Sequence, residues 1–83
     1  MDKRQEAEVC RDIENLLAQA DIACEPCGRG SLIVGKFQAA VSRAPAVLQQ
    51  AGIPFEDMRG GYLVCGYDIG QMAKQGWRPP QLS

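Results

Sequence analysis

The stretch RGSLIVG at residues 29–35 places a short apolar run with two β-branched residues between glycines. Such a run, bounded by turn-forming residues, predicts a buried β-strand. A second stretch, RGGYLVC at residues 59–65, repeats the pattern thirty positions later, and each stretch leads toward a segment with helical spacing. This separation suits one strand–helix–strand crossover. The two stretches therefore predict neighbouring strands that lie parallel and are joined by a right-handed connection.

The N-terminal segment, residues 2–20, has the pattern of an amphipathic helix. Ile13 and Leu17 belong to an apolar series that recurs every three or four residues, while charged residues occupy the other positions. Asp2 and Gln5 stand three residues apart, as in a capping box. The sequence therefore predicts a first helix capped by Asp2.

A second helix is predicted between the two strand-like runs. Apolar residues follow the helical template over residues 37–51, but Pro45 interrupts the run and removes a backbone hydrogen bond. Two arrangements accommodate this proline: a kink near Ala44, or a helix capped at Ser42 and confined to about 43–51.

The last predicted helix follows the second strand. Asp68 is its expected N-cap, with Gln71 three residues later, and Gly76 ends it. Residues 77–83 then form a tail in which Trp77 packs back onto the core.

The predicted fold class is α+β, or small α/β, with helix–strand–helix–strand–helix around a two- or three-stranded sheet. The third strand would be an edge strand near residues 22–24. The whole chain, residues 1–83, reads as one small domain because 83 residues support only a modest core. Within it, residues 21–76 form the strand and helix core between the first helix and the tail.

Composition and charge exclude several classes of protein. With 46% hydrophobic and 23% charged residues, the chain reads as globular rather than disordered. The formal net charge of −1, without any block of like charge, argues against a binder that relies on neutralising phosphates. The charged start MDKRQEAEVCRD lacks the apolar segment of a secretory signal, and no apolar run approaches membrane-spanning length. We therefore expect a soluble cytoplasmic protein without a membrane partner.

The cysteines raise the question of a metal or redox site. CEPCG at residues 24–28 resembles a zinc knuckle across five residues, but a structural zinc site needs four ligands and the chain has no histidine. Cys10 and Cys65 would have to join Cys24 and Cys27 as ligands, and their spacing does not favour this. A thioredoxin-type pair needs a helix directly after the motif to lower the thiol pKa, whereas a turn and a strand follow here. We favour no metal and no cofactor, with all four residues as structural thiols and zinc as the alternative.

Two further near-motifs argue against enzymatic activity. GSLIVGKF at residues 30–37 fits a phosphate-binding loop until Phe37 replaces the hydroxyl residue that would hold magnesium. Glu56 and Asp57 are the sole adjacent acidic pair, and they follow Pro54 in a predicted loop. Without histidine, the commonest general base is missing. We predict no enzyme and no catalytic residue.

Elimination leaves a small protein–protein interaction module. A short chain of this kind leaves part of its apolar surface uncovered, and exposed apolar patches mark interfaces. We expect an accessory, inhibitory or regulatory protein that binds a larger protein, or one that binds a second copy of itself. The candidate partner-binding residues are Arg29, Arg59, Tyr62 and Trp77. The alternatives are a zinc-stabilised module and a nucleic-acid-binding regulatory protein.

Overall fold

The fold is a two-layer α+β arrangement of three helices and a four-stranded sheet. The computed structural model describes residues 4–35 and 43–80. Its elements, in chain order, are α1 (Glu6–Gln19), β1 (Cys24–Pro26), β2 (Leu32–Val34), α2 (Ala44–Gln50), β3 (Glu56–Met58), β4 (Gly61–Val64) and α3 (Gly66–Lys74). The strands are hydrogen-bonded in the order β1-β2-β4-β3, and every neighbouring pair is antiparallel. The predicted α+β class is confirmed.

The two strands predicted from the glycine-bounded runs, β2 and β4, are direct neighbours but run antiparallel. Leu32 lies opposite Val64, and Val34 lies opposite Tyr62. The expected parallel pairing is wrong because an additional strand, β3, lies between α2 and β4 in the chain. β3 runs in the same direction as β2, and a two-residue turn at positions 59–60 then folds β4 back between them.

The extra strand β3 escapes a sequence-based assignment because its side chains are atypical of strands. Glu56, Asp57 and Met58 are all exposed, and acidic residues are depleted in strands. The loop predicted for Glu56 and Asp57 is therefore wrong. Charged side chains on an edge strand oppose pairing with another chain, which suits the position of β3 at the rim.

The start of α1 differs from the prediction. The helix begins at Glu6 with Gln5 in the N-cap position, four residues later than expected. The backbone N–H of Arg4 instead donates to the carbonyl of Ala73 at 2.8 Å, which ties the chain before α1 to the end of α3. The predicted cap, Asp2, lies outside the described residues.

The hydrogen-bond acceptor at the start of α3 comes from a residue distant in sequence. The N-cap position belongs to Cys65, and Asp68, predicted as the cap, lies inside the first turn. That prediction is wrong because the hydroxyl of Ser31 accepts a hydrogen bond from the backbone N–H of Gly66 at 2.9 Å. The β1–β2 turn thus supplies the acceptor that a local cap would have provided.

Two arrangements were expected for the second helix, and the structure has the shorter one, confined to about 43–51. α2 lies within positions 43–51 and has Pro45 in its first turn, where a missing N–H is tolerated. Arg43 precedes the helix and donates from Nη2 to the carbonyl of Ala20 at 2.9 Å. Ser42, the cap considered from the sequence, lies outside the described residues.

The hydrophobic core lies on one side of the sheet, between the sheet and the helices. Each of the three helices contributes to one buried cluster, together with residues of β2 and β4. Its members are Val9, Ile13, Leu16, Leu17, Ile22, Leu32, Val34, Ala44, Leu48, Ala51, Ile53, Val64, Ile69, Met72 and Ala73. Trp77 packs against this cluster as predicted, and its Nε1 donates to the carbonyl of Ala51 at 2.8 Å. None of the helices in the described ranges has the length and apolar character needed to cross a membrane.

Candidate protein-binding surface

A row of four side chains crosses the sheet on the face opposite the core. Glu25 of β1 lies opposite Ile33 of β2, Ile33 lies opposite Leu63 of β4, and Leu63 lies opposite Glu56 of β3. The row therefore has two aliphatic residues at its centre and a carboxylate at each end. We name the surface around this row the open face.

The outward direction of the row follows from the alternation of side chains along each strand. Leu32 and Val34, on either side of Ile33, are buried in the core, and so is Val64, next to Leu63. Ile33 and Leu63 are only half-buried, and neither belongs to the core cluster formed by the described residues. Both aliphatic side chains therefore lie on the opposite surface of the sheet.

Met58 extends the apolar part of the open face toward one end. It lies two residues after Glu56 on β3 and so shares the same face. Its partner across the strands is Gly61, which has no side chain to cover it, and 44% of Met58 is exposed. The apolar patch therefore runs from Ile33 through Leu63 to Met58.

Charged residues lie on the edge strands and in the turns of the sheet. Glu25 and Glu56 lie on the two edge strands. Arg29 lies in the β1–β2 turn and Arg59 in the β3–β4 turn, and both are exposed. Because β2 and β4 are antiparallel and each follows its turn, the two turns lie at opposite ends of the sheet. Within the described part of the chain, none of these four side chains forms an ion pair.

The four partner-binding candidates that the sequence suggested lie in different parts of the structure. Arg29 and Arg59 are exposed in turns at opposite ends of the sheet, and the backbone of the Arg29 turn packs against the start of α3. Tyr62 lies on the core side, where its ring meets that of Phe55 edge-on at a centroid distance of 5.8 Å. Trp77 also packs against the core. The aromatic and basic candidates therefore do not form one surface.

Sequence reasoning missed the residues at the centre of the open face. Ile33 and Leu63 each stand in the middle of an apolar run that reads as buried throughout. The available signal is strict alternation, which sends the middle residue of such a run to the opposite face from its neighbours. Glu25 and Glu56 carry no signal of their own, because their place beside this pair depends on the strand register.

The cysteines do not converge as a zinc site would require. Cys24 packs against the core from β1, whereas Cys27 is exposed in the following turn. Cys65 precedes α3, and Cys10 lies on α1 with its Sγ 3.9 Å from the carbonyl oxygen of Gly30. Across residues 4–35 and 43–80, no three histidine, cysteine, aspartate or glutamate side chains form a group that could hold a metal ion. The absence of a metal and of any cofactor stays a prediction.

The electrostatic surroundings of Cys24 disfavour redox chemistry. Burial, with smaller contributions from the nearby Glu14, Cys10 and Glu25, raises the pKa of the Cys24 thiol to about 12. Burial, together with Glu14 and Glu6, also raises the pKa of Cys10. A reactive dithiol needs a lowered thiol pKa, because the thiolate is the nucleophile. Cys24 stays protonated at neutral pH and behaves as a small apolar residue.

Comparisons of this chain with protein-family models, with curated proteins and with solved structures each found no match.

Proposed function

We propose that this protein is a small cytoplasmic interaction module that binds another protein, or a second copy of itself, through the open face. The observation that carries the proposal is the outward position of Ile33 and Leu63 on the two central strands. An antiparallel sheet with one face in water normally alternates apolar residues inward and polar residues outward. Aliphatic residues at the centre of the outer face favour a partner that covers them, because burying apolar surface releases about 25 cal/mol per Å².

The charges around the patch favour a protein over a nucleic acid. Glu25 and Glu56 flank the aliphatic pair on the same row and would repel phosphates. Arg29 and Arg59 lie at opposite ends of the sheet rather than in a continuous basic stripe, which phosphate contacts require. A protein surface with apolar and charged groups complements this mixture.

The proposal gives the protein a regulatory or accessory role without catalysis or a cofactor. Glu56 and Asp57 are consecutive on β3, so their carboxylates extend toward opposite faces and do not act on one substrate. The raised pKa of Cys24 argues against nucleophilic chemistry at the C-x-x-C segment. The protein would regulate its partner by occupying part of the partner's surface.

The experiment compares two surface variants of equal charge change. Leu63→Lys places an ammonium at the centre of the open face, whereas Gln49→Lys places one on the exposed side of α2. Tagged wild-type and variant proteins are incubated with extract of the native cells and crosslinked, and the captured polypeptides are identified by mass spectrometry. Each captured polypeptide, this chain included, is then purified, and its affinity is measured by calorimetry.

The proposal predicts a stoichiometric complex with the wild type and with Gln49→Lys that Leu63→Lys weakens at least tenfold. Circular dichroism and urea unfolding establish that Leu63→Lys is folded. Binding that is equally strong in the folded Leu63→Lys variant would place the interface elsewhere and contradict the proposal. Failure of the wild type to bind any purified polypeptide would contradict it as well.

A further inference from the structure

We draw no further inference here: the strongest candidate, the aliphatic patch of Ile33, Leu63 and Met58 on the face of the sheet opposite the core, belongs to the surface already described, and nothing in the described part of the structure shows what covers it.

Discussion

The guanidinium of Arg4 connects the segment before α1 to the segment after α3. Its Nη1 lies 2.7 Å from Oδ2 of Asp12 and donates to the carbonyl of Trp77 at 2.9 Å, while Nη2 lies 3.7 Å from Oε2 of Glu8. The Arg4 side chain is only 9% exposed, so these partners replace most of the water that a free guanidinium would bind. The contact fixes Trp77 over the core.

Replacing Arg4 with methionine removes these charged hydrogen bonds but keeps much of the side-chain volume. Because Asp12 is 28% exposed and water can reach it, we expect a loss of about 1–3 kcal/mol in the free energy of unfolding. Urea denaturation measures the change. The matched control is Arg11→Met on the exposed side of α1, which should lie within about 0.5 kcal/mol of the wild type. Equal losses in both variants would contradict the role given to Arg4.

The raised pKa of Cys24 predicts a stability that depends on pH in the alkaline range. The folded protein holds the Cys24 proton up to about pH 12, whereas an unfolded thiol releases it near pH 8.5. Between these values the unfolded state binds fewer protons, so the free energy of unfolding falls as pH rises. The contribution of the Cys24 thiol to the free energy of unfolding is fully present below about pH 8.5 and is lost progressively above it.

Cys24→Ala separates this contribution from those of other groups that titrate in the same range. Urea unfolding across alkaline pH should show a steeper loss of stability for the wild type than for Cys24→Ala. Cys27→Ala serves as the control, because it removes a thiol that is exposed rather than packed against the core. The same slope in wild type and Cys24→Ala would contradict the assignment.

At the scale of the elements, α3 approaches its neighbours through two glycines. A Cβ at Gly66 would collide with the backbone carbonyl of Arg29 in the β1–β2 turn. A Cβ at Gly70 would meet only Oε1 of Glu6, at 2.9 Å, which is the end of a flexible and exposed side chain. The two positions therefore differ in what must move.

This difference predicts opposite effects of the same substitution. Gly66→Ala should lower the free energy of unfolding by about 1–3 kcal/mol, because a backbone segment must shift. Gly70→Ala should be neutral or raise it by up to about 1 kcal/mol, because alanine favours the helix and Glu6 can move aside. Thermal and urea unfolding measure both. A stable Gly66→Ala variant would mean that the β1–β2 turn does not rest on the start of α3.

The elements were predictable to the extent that they carry local signals. The apolar runs predict β2 and β4, and helical periodicity with Pro45 predicts a short α2. β3 carries no such signal, since Glu56 and Asp57 join the sheet through their backbone alone. Missing β3 also reverses the inferred direction of β4, because the hairpin that β3 forms determines that direction.

The candidate site was less predictable than the elements for the same reason. That Ile33 and Leu63 are neighbours, and that Glu25 and Glu56 flank them, follows from the register of all four strands. Arg29 and Arg59 were identified from the sequence, but their places at opposite ends of the sheet depend on the antiparallel order. A site assembled from single residues of four strands leaves no contiguous motif.

At the scale of the whole molecule, the two faces of the sheet predict contrasting costs for neighbouring substitutions. Val34→Ala removes a fully buried side chain from the core and should cost about 1–3 kcal/mol. Ile33→Ala on the open face should cost less than about 1 kcal/mol in dilute solution, because Ile33 is only partly buried and lies outside the core cluster. Urea unfolding of both variants measures the difference. Equal costs would mean that Ile33 belongs to a second core.

The most direct test of the central claim, that the open face is the binding surface, is methyl NMR of the protein alone at increasing concentration and with each purified partner. Spectra of isoleucine- and leucine-labelled protein would be recorded from about 20 µM to about 1 mM at low salt, with and without the partner. We predict progressive shifts of the Ile33 and Leu63 methyl signals, while those of the buried Ile13 and Leu48 stay in place. Unchanged Ile33 and Leu63 signals over the whole range, or shifts confined to residues away from the open face, would contradict the account.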